Sequence, residues 1–419
     1  MAQRGITECD AKRILATGID GYPGDAVLVG PGDDLRAMAR AHPWLTTRKL
    51  VAKPDQLFGK RGKNGLIALN MDLDATAAWI AQRMNTRVTL LSGVTGTLTH
   101  FIVEPATPHD SEYYVAMKAG EHGDTIYLSA SGGVDVEDNW SRVRELSVPT
   151  LQTLDERRLE GILREVCSAR PEDVAAVVRF VRELWAVYTT GGFVYLEINP
   201  FAIVGTTAVP LDCVAKVDDT ADFECRELWG SLDFPPPFGQ ELCDEEQYVK
   251  KLDAMSGASL KLRLLNPDGR VWNMVAGGGA SVIYADTVAD LGAGSELAMY
   301  GEYSGDPSAQ LTYEYAKTVM DLMTRRPDPK GRPKVLLIGG GIANFTDVAK
   351  TFTGIIRALH EYADRLKTVN VRTYVRRGGP NYKEGLGNIK AAADHLELPM
   401  EVYGPDTHMT EIVRLALAQ

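Results

Sequence analysis

Val335-Leu336-Leu337-Ile338-Gly339-Gly340-Gly341-Ile342-Ala343-Asn344-Phe345-Thr346 is the stretch whose reading decides the fold. An apolar run meets a run of glycines, and an amphipathic segment then continues to Ala358. The pattern predicts a strand, a glycine turn and a helix whose N-terminus points outward. A turn without side chains lets backbone N–H groups and the positive end of the helix dipole converge on an anion. Phosphate or carboxylate is the expected ligand, although the same turn would also suit close packing in an α/β sheet.

Working outward, the pattern recurs on both sides. Residues 271–275 run into Gly277-Gly278-Gly279, and residues 371–375 run into Arg376-Arg377-Gly378-Gly379. This repetition predicts a flavodoxin-like or Rossmann-like open parallel sheet, with a ligand crevice at the C-terminal ends of its strands. Upstream, Phe234-Pro235-Pro236-Pro237-Phe238-Gly239 interrupts any regular element, because consecutive prolines neither donate ladder bonds nor continue a helix. A domain boundary is expected there, dividing 1–240 from 241–419. Within the first part, a helix is expected over 6–20 and another over 172–188. Strands are expected at 27–29, 49–53, 65–70, 101–105, 113–118, 125–129, 193–198 and 208–213, giving an α/β unit.

A chain of 419 residues exceeds one ordinary core. Its net charge of -11 is spread along the sequence, which argues against a nucleic-acid or membrane surface and requires local basic clusters to hold any anion. Cys9, Cys167, Cys213, Cys225 and Cys243 are scattered without metal-like spacing, so reduced thiols in a reducing compartment are expected. The N-terminal stretch from Met1 lacks an apolar core, so it does not read as a secretory signal, and no run reaches membrane-spanning length. A cytoplasmic location is the expectation.

Local positive charge is found at Lys53-Pro54-Asp55-Gln56-Leu57-Phe58-Gly59-Lys60-Arg61-Gly62-Lys63, between two expected strands. Flexible backbone with concentrated cations suits a loop that closes over a polyphosphate, with Lys53 as a point charge on the preceding strand. The loop is not a P-loop, since GxxxxGK[ST] is absent. Downstream, Glu197-Ile198-Asn199-Pro200 and Pro210-Leu211-Asp212 end two strands in an amide and a carboxylate. Such hard oxygens suit magnesium, although Asn and Asp there would also serve as turn formers.

At these residues the chain resembles the nucleoside-diphosphate-forming acyl-CoA synthetase superfamily and, within it, the ATP-citrate lyase family. Lys-Pro-Asp-Gln-Leu with Lys-Arg-Gly-Lys, Glu-Ile-Asn-Pro, Phe-Pro-Pro-Pro-Phe-Gly and Ser-Gly-Ala-Ser-Leu-Lys-Leu carry the resemblance, which runs almost end to end. It implies an ATP-grasp domain followed by a citrate-binding domain. By this resemblance Lys53, Lys60, Arg61 and Gly62 would hold ATP phosphates, Glu104, Thr107 and Glu112 would contact adenine and ribose, and Asn199 and Asp212 would hold Mg²⁺.

In the second part, Gly301-Glu302-Tyr303-Ser304-Gly305, the glycine turn and Val375-Arg376-Arg377-Gly378 offer hydroxyls, amides and an arginine clamp suited to a polycarboxylate. Arg376 and Arg377 would face opposite ways at a strand end, so one of them is expected in the site. The resemblance assigns citrate to Ser304, Gly305, Asn344, Thr346 and Arg377, with Gly341 and Phe345 beside them. It also makes the helix after Gly341 a "power helix" whose N-terminus steadies a phosphorylated histidine.

The family's acceptor histidine lies in a Gly-His-Ala setting that none of His42, His100, His109, His122, His360, His395 or His408 has. The resemblance therefore implies a small subunit that works with a large partner. The partner would supply the phosphohistidine, the coenzyme A site and a citrate-synthase-like cleavage domain. The implied net reaction converts citrate, ATP and coenzyme A to acetyl-CoA, oxaloacetate, ADP and phosphate. A citryl-CoA synthetase subunit would carry the same residues, and a nucleotide- and tricarboxylate-sensing module is the rival of a different class.

Overall fold

The protein is described by a computed structural model covering residues 3–133 and 136–418. Met1 and Ala2, which open the stretch read above as no secretory signal, lie outside these residues. The chain divides into two compact units, Met1–Glu241 and Leu242–Gln419.

The first unit is built on antiparallel sheets. Its larger sheet runs in the order Gln3–Ile6, Cys213–Asp218, Phe193–Val204, Tyr113–Gly120, Gly123–Ser129 and Arg144–Pro149, with Thr207–Pro210 pairing on Phe193–Val204. A smaller sheet has the order Val27–Val29, Phe101–Pro105, Leu50–Pro54 and Ala68–Met71. The helix Val174–Thr190 covers the larger sheet because Val177, Phe180, Val181, Leu184 and Val187 recur at helical spacing and are buried against Leu196 and Ile198. It begins two residues later than expected, since Pro171–Asp173 form a tight 3-10 turn ahead of it.

Other departures have local causes. The expected helix over 6–20 is Glu8–Leu15, capped by Thr7, whose hydroxyl accepts from the Asp10 N–H at 3.2 Å. The expected strand at 208–213 is two strands, because Leu211 and Asp212 turn back and donate their N–H groups to the Pro200 carbonyl at 2.9 and 3.3 Å. The strand beginning at Phe193 runs on to Val204, but its register shifts between Ile198 and Phe201, where Pro200 has no N–H to give.

The second unit holds a six-stranded sheet in the order Ser259–Leu264, Met299–Ser304, Val271–Ala276, Val335–Gly340, Arg372–Arg376 and Met400–Tyr403. The first strand is an antiparallel edge and the rest are parallel. Both faces are covered, which explains the unbroken apolar character of Val335–Gly340. Trp272 and Met274 pack with the helices Ala309–Thr324 and Val348–Thr368, while Val271 and Val275 pack with Gly278–Val288 and Glu411–Leu417. All five cysteines are free, and no helix among the described residues is long and apolar enough to cross a membrane.

Candidate functional site

The first unit contains a cleft of about 610 Å³ whose walls come from both of its main sheets. Lys53 and Glu104 project from the smaller sheet, Pro210, Leu211 and Asp212 from the turn described above, and Thr107, His109 and Glu112 from the irregular segment after Pro105. The structure thus brings together Lys53, Glu104, Thr107, Glu112 and Asp212. Lys60 and Gly62 are exposed on the preceding loop and are not among the lining residues. His109 engages both ring nitrogens, one with the Thr107 carbonyl at 2.7 Å and one with Glu112 at 3.0 Å.

Beneath the cleft is a buried charge cluster centred on Glu8. Its carboxylate meets Lys12 Nζ at 2.8 Å, Lys53 Nζ at 2.7 Å and Arg61 Nη2 at 2.6 Å. Glu104 pairs with the same two lysines, at 2.5 Å to Lys12 and 3.3 Å to Lys53, and Arg61 also pairs with Asp212. Burial pushes the Glu8 carboxyl up, but Arg61, Lys12 and Lys53 outweigh it and hold the group well below the usual carboxylate range. Asp55 accepts from the Glu8 and Cys9 N–H groups at 2.7 and 3.0 Å. Burial foremost, and then the charge of Glu8, push its carboxyl up to about 6. Two of the three cations expected to hold phosphate, Lys53 and Arg61, are therefore compensated by carboxylates, and any anion reaching them must compete with Glu8 and Asp212.

Glu8, Lys12 and Asp55 escaped the sequence reading. Glu8 and Lys12 are spaced like an ordinary solvated i,i+4 pair. A signal was available, because Glu8, Ala11, Lys12 and Leu15 share one helical face whose apolar members are buried.

The expected magnesium ligands are neighbours through backbone, the Asn199 N–H donating to the Asp212 carbonyl at 3.0 Å. Asn199 Oδ1 accepts from the Gly133 N–H at 2.7 Å, and the Asp212 carboxylate holds Arg61. No group of three or more His, Cys, Asp or Glu among the described residues could hold a metal unaided. The donor chemistry fits magnesium, which is ordinarily held by one or two carboxylates with water and phosphate oxygens completing its shell.

The second unit has a cleft of about 280 Å³ at the C-terminal ends of its parallel strands, lined by Tyr303, Ser304, Gly305, Gly341, Phe345, Thr346 and Arg377 among others. Asn344, expected to touch the ligand, is exposed and not among the lining residues. The glycine run resolves into two jobs. A Cβ on Gly339 would strike the Tyr284 ring at 2.4 Å, and one on Gly340 would come within 2.6 Å of Arg377 Nη1, so these two glycines serve packing. Gly341 has open space in front of it and faces the cleft.

The two arginines separate as expected. Arg376 spends its guanidinium on the Gly340, Pro405 and Thr407 carbonyls at 2.9 to 3.0 Å. Arg377 lines the cleft, gives Nη1 to the Gly341 carbonyl at 2.8 Å, and is 3% exposed. Its Nε is buried with no partner among the described residues, and burial pulls the pKa of the group down. Ser304 donates to Glu302 at 2.8 Å.

The expected helix after the glycine turn starts later than the pattern implies. Residues 341–347 are irregular, and the helix Val348–Thr368 is closed at its N-terminus by Asp347, which accepts from the Lys350 N–H at 2.9 Å and from Asn381 at 2.7 Å. The Val348 N–H goes to the Pro380 carbonyl at 3.0 Å. An acidic cap already meets the helix dipole there. By contrast, Gly278–Val288 follows its strand at once and has no side-chain cap, and Gly277 and Ala280 at its start line the cleft. The uncapped dipole at this cleft belongs to the helix after Gly277.

Comparison with known proteins adds a second line of observation. A family model described as the ATP-citrate synthase ATP-grasp domain matches residues 2–229, and one described as ATP citrate lyase citrate-binding matches residues 240–419. The chain is 44% identical to an ATP-citrate synthase alpha chain of Oryza sativa subsp. japonica, over 100% of this chain and 98% of that one. It is 47% identical to the ATP-citrate synthase of Homo sapiens, over 93% of this chain but only 35% of the human protein. Among solved structures, the ATP citrate lyase from Methanothrix soehngenii in complex with citrate and coenzyme A superposes with a TM-score of 0.88 at 47% identity, covering all of both chains.

Proposed function

The chain belongs to the ATP citrate lyase family, carrying its ATP-grasp and citrate-binding domains, and from that premise we propose that it is the small subunit of a two-subunit ATP-citrate lyase. The chain spans nearly the whole of the plant alpha chain and about a third of the human protein. The remaining chemistry, a phosphorylated histidine, the coenzyme A site and the citrate-synthase-like cleavage domain, belongs to a large partner subunit. A cytoplasmic location accords with the free cysteines.

The observation that carries the citrate assignment is Arg377, a guanidinium buried at a glycine-walled cleft with Nε unclaimed among the described residues. A buried cation with a free donor is costly unless an anion completes it. Citrate supplies the carboxylate, with Ser304, Gly305, Gly341, Phe345 and Thr346 around it, and Asn344 reaches it only if residues 341–347 close inward. The helix Gly278–Val288 turns its uncapped N-terminus to the same space and is the one that would steady a phosphorylated histidine of the partner.

In the first unit, Lys53 and Arg61 turn from Glu8 toward nucleotide phosphates, joined by Lys60 and Gly62 as the loop folds over them. Glu104, Thr107 and Glu112 face adenine and ribose. Asn199 and Asp212 would hold Mg²⁺, which when bound neutralises charge on the phosphates. Phosphoryl transfer to the partner's histidine then allows a carboxylate of citrate to be activated for attack by coenzyme A.

The test is to purify the chain with its partner and follow oxaloacetate released from citrate, ATP and coenzyme A. Release that needs both subunits is the expected result. Accumulation of citryl-CoA without cleavage would instead make the pair a citryl-CoA synthetase. Asp212→Ala should abolish ATP-dependent phosphorylation of the partner while citrate binding to this chain survives; normal phosphorylation would remove the magnesium assignment.

A further inference from the structure

Next to Arg377 the citrate cleft holds a second buried donor that the sequence reading did not assign. Tyr303 lies on the Met299–Ser304 strand, is 1% exposed, and lines the same cleft. Its ring packs near that of Tyr315, with centroids 6.0 Å apart, so its position is fixed by the core. Its hydroxyl, like Arg377 Nε, is buried with no partner among the described residues. The two groups are also close enough to act on each other electrostatically.

An orphaned buried hydroxyl is unfavourable, and native cores leave few of them. Here the orphaned hydroxyl and the orphaned guanidinium nitrogen belong to two residues that line one cleft. Both atoms are donors, and a carboxylate oxygen pair is the ligand group that accepts from several donors at once.

Resting on the citrate reading above, we propose that Tyr303 is a substrate-binding residue whose hydroxyl donates to the same carboxylate that Arg377 Nε clamps. Tyr303 and Arg377 then form a paired seat for one carboxylate of the tricarboxylate, leaving Ser304 and Thr346 for the remainder. Since the hydroxyl stands on a packed ring, it selects by position, and a phenylalanine there would keep the packing and lose the donor.

The experiment is calorimetric titration of the full chain with citrate and with tricarballylate, which lacks the hydroxyl of citrate. Tyr303→Phe should weaken both ligands by the same factor, roughly 10- to 100-fold for a hydrogen bond to a charged group. The ligand-free variant should unfold at the same temperature as the native chain or higher, because an unsatisfied hydroxyl has been removed; a loss of stability in step with affinity would make the role structural and overturn the proposal. Weakening of citrate alone would assign Tyr303 to the ligand hydroxyl and overturn the shared-carboxylate seat. Arg377→Ala separates the two readings: if it weakens citrate while Tyr303→Phe does not, the Tyr303 proposal falls and the citrate site stands. If the native chain takes up no citrate, both fall.

Discussion

Glu8 sets the charge beneath the cleft of the first unit, since one carboxylate touches Lys12, Lys53 and Arg61. Its neighbour Asp55 is the group whose ionisation is opposed by burial first and by the charge of Glu8 second. Asp55 keeps its proton up to about pH 6 in the folded chain, against about 3.9 when unfolded. Between those values the folded state binds more protons, so the stability Asp55 contributes is complete below about pH 4 and is lost as pH rises through 6. Asp55→Asn removes this dependence. The stability gap between the variant and the native chain should therefore move in the variant's favour by roughly 2–3 kcal/mol from pH 4 to pH 7. Urea unfolding at the two pH values measures it, and a gap that stays constant contradicts the assignment. Glu8 works in the opposite sense: held low by its cations, it stabilises above the unfolded carboxyl range and is lost only in strong acid.

At the scale of elements, the strand-to-loop junction at Gly340 positions Arg377. Gly340 has φ of 151° and leaves room for the Arg377 Nη1 at 2.6 Å from where a Cβ would stand. Gly340→Ala should displace the guanidinium and weaken citrate binding at least tenfold, a loss of about 1.4 kcal/mol or more in a charged contact, with the fold retained by circular dichroism. Undiminished citrate affinity in that variant would mean that the guanidinium does not depend on this junction. The elements themselves were largely legible in the sequence: 27–29 and 101–105 are strands at the expected limits, and three of the parallel strands of the second unit lie where the glycine turns place them. What the sequence hid was where helices begin. Glycines mark a turn, yet the helix after Gly341 waits for Asp347, because a carboxylate that accepts from its own first turn is a stronger start signal than a glycine. Residues that line the two clefts stood out in the sequence where a charge is placed on a turn, as with Arg377 and Asp212. The buried cluster was missed, since Glu8 and Lys12 are spaced like an ordinary solvated pair and their partners Lys53, Arg61 and Glu104 lie far along the chain.

At the scale of the whole molecule, each unit has apolar cores of its own: among the described residues, those of the first unit are built from residues up to 238, and those of the second from residues 249 onward. Separate cores predict separate unfolding transitions in calorimetry. Magnesium-ATP should raise one transition and citrate the other, each by about 2.7 kcal/mol of stability at a ligand concentration a hundredfold above its dissociation constant. One transition moved equally by both ligands would contradict this. Within the second unit, the Arg376 side chain has a mechanical consequence. Its guanidinium is a rigid plate bolted to Gly340 on one side and to Pro405 and Thr407 on the other. A pull on residues 405–407 is thus delivered to the residue next to Gly341 through a single inextensible strut. A lysine in its place would keep the charge but could not act as such a strut, having one nitrogen where the plate has three.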